Sequence, residues 1–183
     1  MKQSSFVKRL TFSVMLILLS SLGLFTGTVL AADYLGTGQF PVRQLRWEYM
    51  GISTGHESNA DTSMGRWHTQ TDLNLIKVTS NQDIRFIVHN YGNTGWTGYA
   101  YICDTLGNCS NQTAWDNTYN HCEARINHTD TSSLSDTKKQ NVFMHEAGHC
   151  FSLGHRWTGI MWPFVRSYNS LNSTDKQLIN ARY

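Results

Sequence analysis

Apolar residues recur along the chain at the spacings of short strands. Residues 44–50 alternate between apolar and polar positions, as in a strand with one buried face. Two later segments, separated by a turn at residues 81–83, are rich in apolar and β-branched residues. The strand candidates are residues 44–50, 73–78, 84–89, 99–102 and 122–127.

Three other segments carry apolar residues at helical spacing. In residues 58–69 this spacing makes Trp67 an interior anchor of the fold. A longer helix is predicted over residues 135–153, and a short one over residues 174–181. Candidate N-caps are Asn59 or Asp61 for the first helix, and Asn172 or Ser173 for the last one.

The remaining segments are predicted to be loops. Residues 32–41 form a loose lead-in, and residues 103–120 are polar and rich in turn residues. Residues 91–98 are rich in glycine, but they are no phosphate loop because no lysine follows and no helix pattern begins there. No internal repeat or linker is visible, so we predict one domain.

The first 31 residues have the pattern of a secretory signal peptide. Three basic residues precede an uncharged apolar run, and Val29 and Ala31 supply the small residues that a signal peptidase requires. We expect cleavage after Ala31 or Ala32, which leaves a mature domain of residues 32–183. The alternative is an uncleaved N-terminal membrane anchor, because the uncharged run is long enough to span a bilayer.

The charge of the chain gives no evidence for nucleic-acid binding. The 183 residues include 15 Lys and Arg against 13 Asp and Glu, a net charge of +2. Residues 1–31 hold three of the basic residues and none of the acidic ones, so the mature part carries a net charge of −1. About 150 residues are enough to bury one adequate core.

The four cysteines all follow residue 31, and an even number in an exported chain indicates disulfides. Four cysteines permit three pairings. We favour Cys103 with Cys109, which closes a short loop, and Cys122 with Cys150. The alternative is free buried cysteines, and a cysteine-based zinc site is disfavoured because no C-x-x-C spacing occurs.

Candidate chemistry is concentrated in residues 145–155, which read HEAGHCFSLGH. On a helix His145 and His149 lie on one face, where two imidazoles can point at one metal ion. Glu146 lies about 100° further around the helix, where it can reach a metal-bound water without being a ligand. The opposite face is apolar and includes Cys150, which is therefore a poor candidate ligand.

A catalytic zinc site usually has three protein ligands and one water, and His155 is the candidate third ligand. A continuing helix would point His155 away from the metal, but Gly154 can end the helix and turn the chain back. Zinc lowers the pKa of a bound water to about 7. Glu146 is the predicted general base, which takes the proton of this water and passes it to the leaving amine.

A chance match and a structural zinc site are the competing explanations. The third histidine at a fixed offset in an exported chain makes a chance match remote. A closed structural site needs a fourth ligand, whereas Glu146 offers a base instead. The other histidines have no partner at ligand spacing and are not predicted ligands: His56, His68, His89, His121 and His128.

These residues resemble the signature of the metzincin zinc peptidases, H-E-x-x-H-x-x-G-x-x-H followed by a methionine turn, and within that group the small bacterial matrixin-like peptidases. The resemblance implies that Met161, six residues after the third histidine, packs beneath the metal without binding it. It also implies that substrate lies extended along the strand of Tyr99 and Ala100. Trp162 and Pro163 would then wall the pocket for the residue that follows the scissile bond.

The chain departs from the family pattern at one position, where Ser152 replaces a glycine. That glycine usually takes a backbone conformation that costs a serine about 1 kcal/mol. Either Ser152 tolerates the conformation or Gly154 supplies the turn. No cysteine precedes Cys103, so we expect synthesis without a large propeptide. No D-x-D-x-D-G spacing appears, so calcium is not predicted.

We therefore predict an α+β, metzincin-like zincin domain with a twisted mixed sheet, an N-terminal helix, an active-site helix and a small C-terminal subdomain from Gly154 on. The predicted activity is that of a secreted, extracellular zinc endopeptidase. It has one catalytic zinc ion, protein or peptide substrates, no nucleic-acid partner and no membrane contact after signal cleavage, and it is a monomer. The alternatives are a non-catalytic, zinc-stabilised binding module and a narrow-specificity toxin or processing protease.

Overall fold

The computed structural model describes residues 33–52 and 54–183. The predicted signal peptide, residues 1–31, lies outside the described residues. Ala31 and Ala32, the residues that precede the two candidate cleavage sites, also lie outside them. Within the described residues, no helix has both the length and the apolar character needed to cross a membrane.

Five strands form one mixed sheet, in the order β2-β1-β3-β5-β4. Strands β2, β1, β3 and β5 are parallel to one another. Strand β4, at the edge of the sheet, pairs antiparallel with β5. All five predicted strands are confirmed, with ends that move by up to three residues. The strands are β1 (Gln44–Gly51), β2 (Asn74–Lys77), β3 (Ile84–His89), β4 (Gly98–Asp104) and β5 (Tyr119–Asn127).

Two long helices pack against each other and against this sheet, so the fold is the predicted α+β type. Between them the Trp67 indole N–H donates to the Met144 carbonyl at 3.2 Å, which confirms Trp67 as an interior anchor. Phe143 packs against Phe86 of the sheet, with ring centroids 5.2 Å apart and the rings tilted by 57°. The helices are α1 (Thr54–Gln70), α2 (Gln112–Asp116), α3 (His128–Thr131), α4 (Asp136–Cys150) and α5 (Ser173–Arg182).

Helix boundaries differ from the prediction where the sequence pattern is weakest. Helix α1 begins at Thr54, so neither Asn59 nor Asp61 is its cap. Asn59 instead lies inside the helix and donates to the Gly55 carbonyl at 2.7 Å. Helices α2 and α3 span five and four residues, too short for an apolar period to reveal them. Asn172 caps α5, as predicted, in a capping box with Asp175.

The prediction of a loose lead-in is wrong, because residues 33–40 are held to the rest of the fold by hydrogen bonds. The Leu35 amide donates to the Ser152 carbonyl, and the Gly154 amide donates to the Asp33 carbonyl, both at 2.9 Å. Arg182 of α5 donates to the Gly36 carbonyl at 2.9 Å. These are contacts across most of the chain length, which local sequence patterns do not report.

Both disulfides of the favoured pairing are present, and no described cysteine is free. Cys103 and Cys109 close a short loop at the end of β4. Cys122 of β5 is joined to Cys150, the last residue of α4, with both side chains fully buried. The second disulfide therefore fixes the end of α4 to β5, an interior strand of the sheet.

A buried histidine, His56, lies where α1 meets α3. Thr131 Oγ1 donates to the Asn127 carbonyl at 2.8 Å, so the His56 Nε2–H donates in turn to Thr131 Oγ1 at 3.1 Å. His56 Nδ1 is buried and has no hydrogen-bond partner among the described residues. Burial, followed by the neighbouring His128 and Lys139, lowers the pKa of His56 to about 4, and Asp136 opposes this shift.

We expect His56 to make the fold sensitive to acid. Its pKa is about 4 in the folded chain and about 6.5 when unfolded, so the unfolded chain binds the proton more readily. Above pH 6.5 His56 is neutral in both states and costs the folded chain nothing. As the pH falls toward 4, the unfolded chain takes up the proton first, so the free energy of unfolding decreases. From pH 7 to pH 5 the loss is about 2 kcal/mol.

Urea unfolding of the wild type and His56→Gln at pH 7 and pH 5 measures this effect. The wild type should lose more free energy of unfolding between the two pH values than the variant, which has no titrating group at this position. The matched control is His89→Gln at an exposed position of β3. Equal losses in the wild type and in His56→Gln would show that His56 does not carry the acid sensitivity.

Candidate metal centre

The chain reverses directly after α4, and Ser152 makes this reversal. Ser152 takes a left-handed backbone conformation with φ of 72°, and Gly154 does not. The Ser152 amide donates to the His149 carbonyl at 2.8 Å, and its hydroxyl accepts a hydrogen bond from the Tyr119 hydroxyl at 3.2 Å. Of the two explanations for the missing glycine, Ser152 tolerating the conformation is therefore the one that the structure supports.

The reversal brings the three predicted histidines together. His155 Nε2 lies 3.2 Å from His149 Nε2 and 3.2 Å from His145 Nε2. In the part of the chain that the structure describes, this is the one group of three potential metal ligands. His149 is buried and His155 is exposed, so the cluster opens toward solvent on one side.

Hydrogen bonds on the far side of two rings fix where their protons are. His145 Nδ1 lies 2.9 Å from the Ile160 carbonyl oxygen, and His149 Nδ1 lies 2.8 Å from the Leu153 carbonyl oxygen. A carbonyl oxygen only accepts, so each Nδ1 carries the proton and each neutral ring presents a bare Nε2. The two bare nitrogens face His155 Nε2, so the three Nε2 atoms converge on one place where they can bind a metal ion.

The spacing of the nitrogens fits zinc. Imidazole nitrogens bound tetrahedrally at about 2.0–2.1 Å from one zinc ion lie about 3.3 Å apart. Burial lowers the pKa of His145 to about 4, and burial with the neighbouring His145 lowers the pKa of His149 well below its usual range. Burial also lowers the pKa of His155. At neutral pH all three rings are therefore in the neutral form that binds metal.

Glu146 lies one residue after the first histidine and borders the same cavity. Its side chain is buried, and no described residue donates a hydrogen bond to the carboxyl group. Burial raises the pKa of Glu146 to about 8. A divalent cation among the neighbouring histidines acts in the opposite direction, because it favours the carboxylate.

A scan of protein families matches residues 44–156 to the family described as metallo-peptidase family M12B, reprolysin-like. The match spans more than half of the chain and includes all three histidines. This chain is a reprolysin-like metallopeptidase of family M12B. The metzincin resemblance and the predicted metalloprotease class are therefore confirmed, and the family implies a zinc cofactor.

Solved structures support the fold of this metallopeptidase. It is similar to two structures of myroilysin, each at 16% sequence identity. The first match has a TM-score of 0.56 and covers 79% of this chain and 85% of the myroilysin chain. The second has a TM-score of 0.57 and covers 86% of this chain and 87% of the myroilysin chain. No curated protein matches the chain. At 16% identity the similarity is evidence for the fold alone.

Met161 of the metallopeptidase lies where the methionine turn was predicted. It is fully buried, and its Sδ occupies the space that a Cβ on Gly148 of α4 would need. Met161 therefore packs directly against the helix segment between the two histidines. The Arg156 amide donates to the Met161 carbonyl at 2.9 Å, which closes the loop after the third histidine.

The metallopeptidase anchors this loop through Asp175, a residue that the sequence pattern did not single out. One Asp175 carboxylate oxygen accepts from the Ile160 amide at 3.1 Å, and the other pairs with the Arg156 guanidinium. The Ile160 carbonyl in turn accepts from His145 Nδ1. Asp175 thus orients one of the three clustered histidines through one intervening residue, and only the capping pattern at the start of α5 gave any local signal of it.

A cavity of about 630 Å³ extends from the histidines of the metallopeptidase along β4. Tyr99, Ala100, Trp162 and Pro163, the predicted substrate contacts, all border it; their role in binding stays a prediction. Other residues at its wall come from the three predicted loops and from the segment after the methionine turn. These are Leu35, Gly95, Trp96, Thr97, Gly98, Trp115, Phe164 and Val165, joined by Asn141 and Val142 of α4.

Gly98, the first residue of β4, has no side chain and so leaves room for the Glu146 carboxyl group. A Cβ at Gly98 would overlap the Glu146 carboxyl group and would lie 2.6 Å from its Cγ. The sequence contained no signal for this contact, because it joins residues that are far apart in the chain. Glycine at this position is explained by the close approach of the carboxyl group.

Gly98→Ala is therefore expected to displace Glu146 and lower kcat/KM for a peptide by about 10²-fold, the loss typical of a misplaced catalytic group. The protein should still fold and hold zinc, because the three atoms nearest to the added Cβ all belong to Glu146 and none to a histidine. The control is Gly65→Ala in α1, where a Cβ meets nothing within 4 Å. Unchanged peptide hydrolysis by zinc-loaded Gly98→Ala would show that the position of Glu146 does not depend on Gly98.

Proposed function

We propose that this metallopeptidase is a secreted zinc endopeptidase, in which His145, His149 and His155 hold one zinc ion and Glu146 is the general base. One observation carries the proposal: three imidazole Nε2 atoms, with 3.2 Å between His155 and each of the other two, share a cavity with a carboxyl group that has no hydrogen-bond partner among the described residues. Calcium has no part in the proposal.

The residues have distinct roles in the proposed reaction. Zinc held by the three histidines supplies a Lewis acid that acidifies a water molecule and polarises the peptide carbonyl. Glu146 accepts a proton from the attacking water and then donates it to the nitrogen of the leaving peptide. The carboxyl group is suited to this transfer because it makes no hydrogen bond with any described residue. Ile160 and Leu153 hold His145 and His149 in the tautomer that leaves Nε2 free.

The substrate is proposed to bind in extended form along β4. This strand lies at the edge of the sheet, and only one of its sides pairs with β5. An extended peptide can therefore add to its free side through main-chain hydrogen bonds, with Tyr99 and Ala100 beside it. Trp162 and Pro163 would wall the pocket for the residue after the scissile bond.

The proposal includes export and processing. Residues 1–31 act as the signal peptide, and the mature chain is the extracellular catalytic domain of residues 32–183. The two disulfides support this location, because such bonds persist in oxidising compartments. Terminal sequencing of the protein recovered from the culture medium should give a chain that starts at Ala32 or Asp33; a chain that keeps residues 1–31 would contradict the processing.

Mass spectrometry of the products tests the endopeptidase activity. The zinc-loaded protein is incubated with an unfolded protein substrate, and the termini of all products are mapped. Cuts at several internal positions are expected, because a cleft along an edge strand accepts chain on both sides of the scissile bond. Release of terminal residues alone would indicate an exopeptidase and would overturn this part of the proposal.

A further inference from the structure

Arg166 has a guanidinium group with no hydrogen bond or ion pair to any described residue. Most other arginines of the described chain are engaged. Arg46, Arg85, Arg125 and Arg156 pair with carboxylates, and Arg66 and Arg182 donate to main-chain carbonyls. Arg166 is exposed and carries an uncompensated positive charge.

Two contacts fix Arg166 at the rim of the substrate cleft. Its guanidinium carbon lies 4.1 Å from the centroid of the Trp162 ring, and its amide donates to Asn141 Oδ1 at 2.8 Å. Trp162 and Asn141 both border the cleft that contains the histidines. Stacking on an indole holds the plane of the guanidinium and leaves its N–H edge free for a ligand.

A smaller cavity of about 220 Å³ adjoins the cleft at this point, and it is bordered by Gly159, Trp162, Arg166 and Tyr168. Trp162 belongs to both cavities, so a peptide that passes Trp162 reaches Arg166 next. The residues that border the main cleft include no lysine or arginine. Arg166 is therefore a cation without an ion-pair partner at the rim of the cleft, where an acidic group of a bound peptide can reach it.

We propose that Arg166, stacked on Trp162, forms a subsite for a carboxylate of the substrate peptide. A planar guanidinium binds a carboxylate through two parallel hydrogen bonds, which a neutral amide cannot match. The carboxylate is either an Asp or Glu side chain or the C-terminal carboxylate of the peptide, beyond the residue that follows the scissile bond. This inference rests on the proposed endopeptidase function.

Matched peptides test the subsite and separate the two sources of the carboxylate. One series carries Glu or Gln at successive positions after the scissile bond, with an amidated C-terminus, and another carries Gln throughout with a free or amidated C-terminus. The zinc-loaded wild type should prefer the acidic peptide of one series about threefold to tenfold in kcat/KM, through a lower KM. The preference should shrink as the salt concentration rises.

Arg166→Gln should abolish this preference, and Arg166→Lys should keep part of it, because lysine retains the charge without the planar fork. The matched control is Arg43→Gln, at another exposed arginine that borders neither cavity, which should keep the full preference. Equal hydrolysis of acidic and neutral peptides by the wild type, or an unchanged preference in Arg166→Gln, would overturn the subsite.

Binding to zinc-loaded Glu146→Gln separates failure of the subsite from failure of the proposed function. Titration calorimetry with the same peptides needs no hydrolysis. Tighter binding of the acidic peptide, lost when Arg166→Gln is added, supports the subsite even if the wild type cleaves nothing. Equal binding of both peptides overturns the subsite even if the wild type cleaves them well.

Discussion

Replacing Glu146 with glutamine is expected to lower kcat/KM for a peptide by about 10²- to 10⁴-fold, while the protein still binds one zinc ion. Glutamine has nearly the same shape and fits against Gly98, but it does not accept the proton of the attacking water. The three histidines keep their positions because none of them contacts the Glu146 carboxyl through a hydrogen bond. The loss should therefore appear in catalysis and not in metal content.

Peptide hydrolysis and zinc content, measured on the same preparation, check this expectation. The control is Glu57→Gln in α1, an exposed carboxylate that pairs with Lys77 at 2.9 Å, and its kcat/KM should stay within about twofold of the wild type. Zinc-loaded Glu146→Gln with activity close to the wild type would remove Glu146 from the role of general base.

Asp175→Asn is expected to lower the free energy of unfolding by about 3–5 kcal/mol, the cost typical of removing one partner from a buried ion pair. Asp175 is fully buried and its partner Arg156 is almost so. Two further nitrogens of Arg156 are buried and have no hydrogen-bond partner among the described residues, so the lost carboxylate leaves the guanidinium with little compensation.

Urea unfolding of the zinc-loaded proteins measures this loss. Asp61→Asn is the matched control, because Asp61 pairs with Lys77 at 2.6 Å in an exposed setting. That change should cost less than about 1 kcal/mol. Zinc affinity should also fall in Asp175→Asn, since Asp175 positions Ile160, whose carbonyl holds His145. A cost for Asp175→Asn as small as that of the control would contradict the anchoring role.

The parts of the fold that local patterns encode were predictable. The core of α4 follows from the spacing of its apolar residues, and His145 and His149 share one face because four residues make about one turn. Strand β3 was predicted at the residues where it lies, Ile84–His89. The need for a third ligand and the glycine before it indicated His155, and the family signature then supplied Met161, whose position no periodicity reveals.

The features that the sequence did not reveal depend on contacts between distant residues. Gly98 is required by Glu146, and Asp175 acts through Ile160, so neither has a local pattern of its own. The lead-in is fastened because its main-chain groups bond to residues 152–154 and to Arg182, near the other end of the chain. The family pattern had left open whether Ser152 or Gly154 makes the turn after α4, and the left-handed conformation of Ser152 decides it.

Hydrolysis of an unfolded protein substrate before chelation, after chelation and after zinc is restored is the most direct measurement of the proposed site. The wild type and Glu146→Gln are compared under the same three conditions. The wild type should be active, lose its activity with the metal and regain it with zinc, and Glu146→Gln should hydrolyse almost nothing throughout. Full activity in a metal-free wild type, or no hydrolysis by a folded, zinc-loaded wild type, would contradict the zinc endopeptidase.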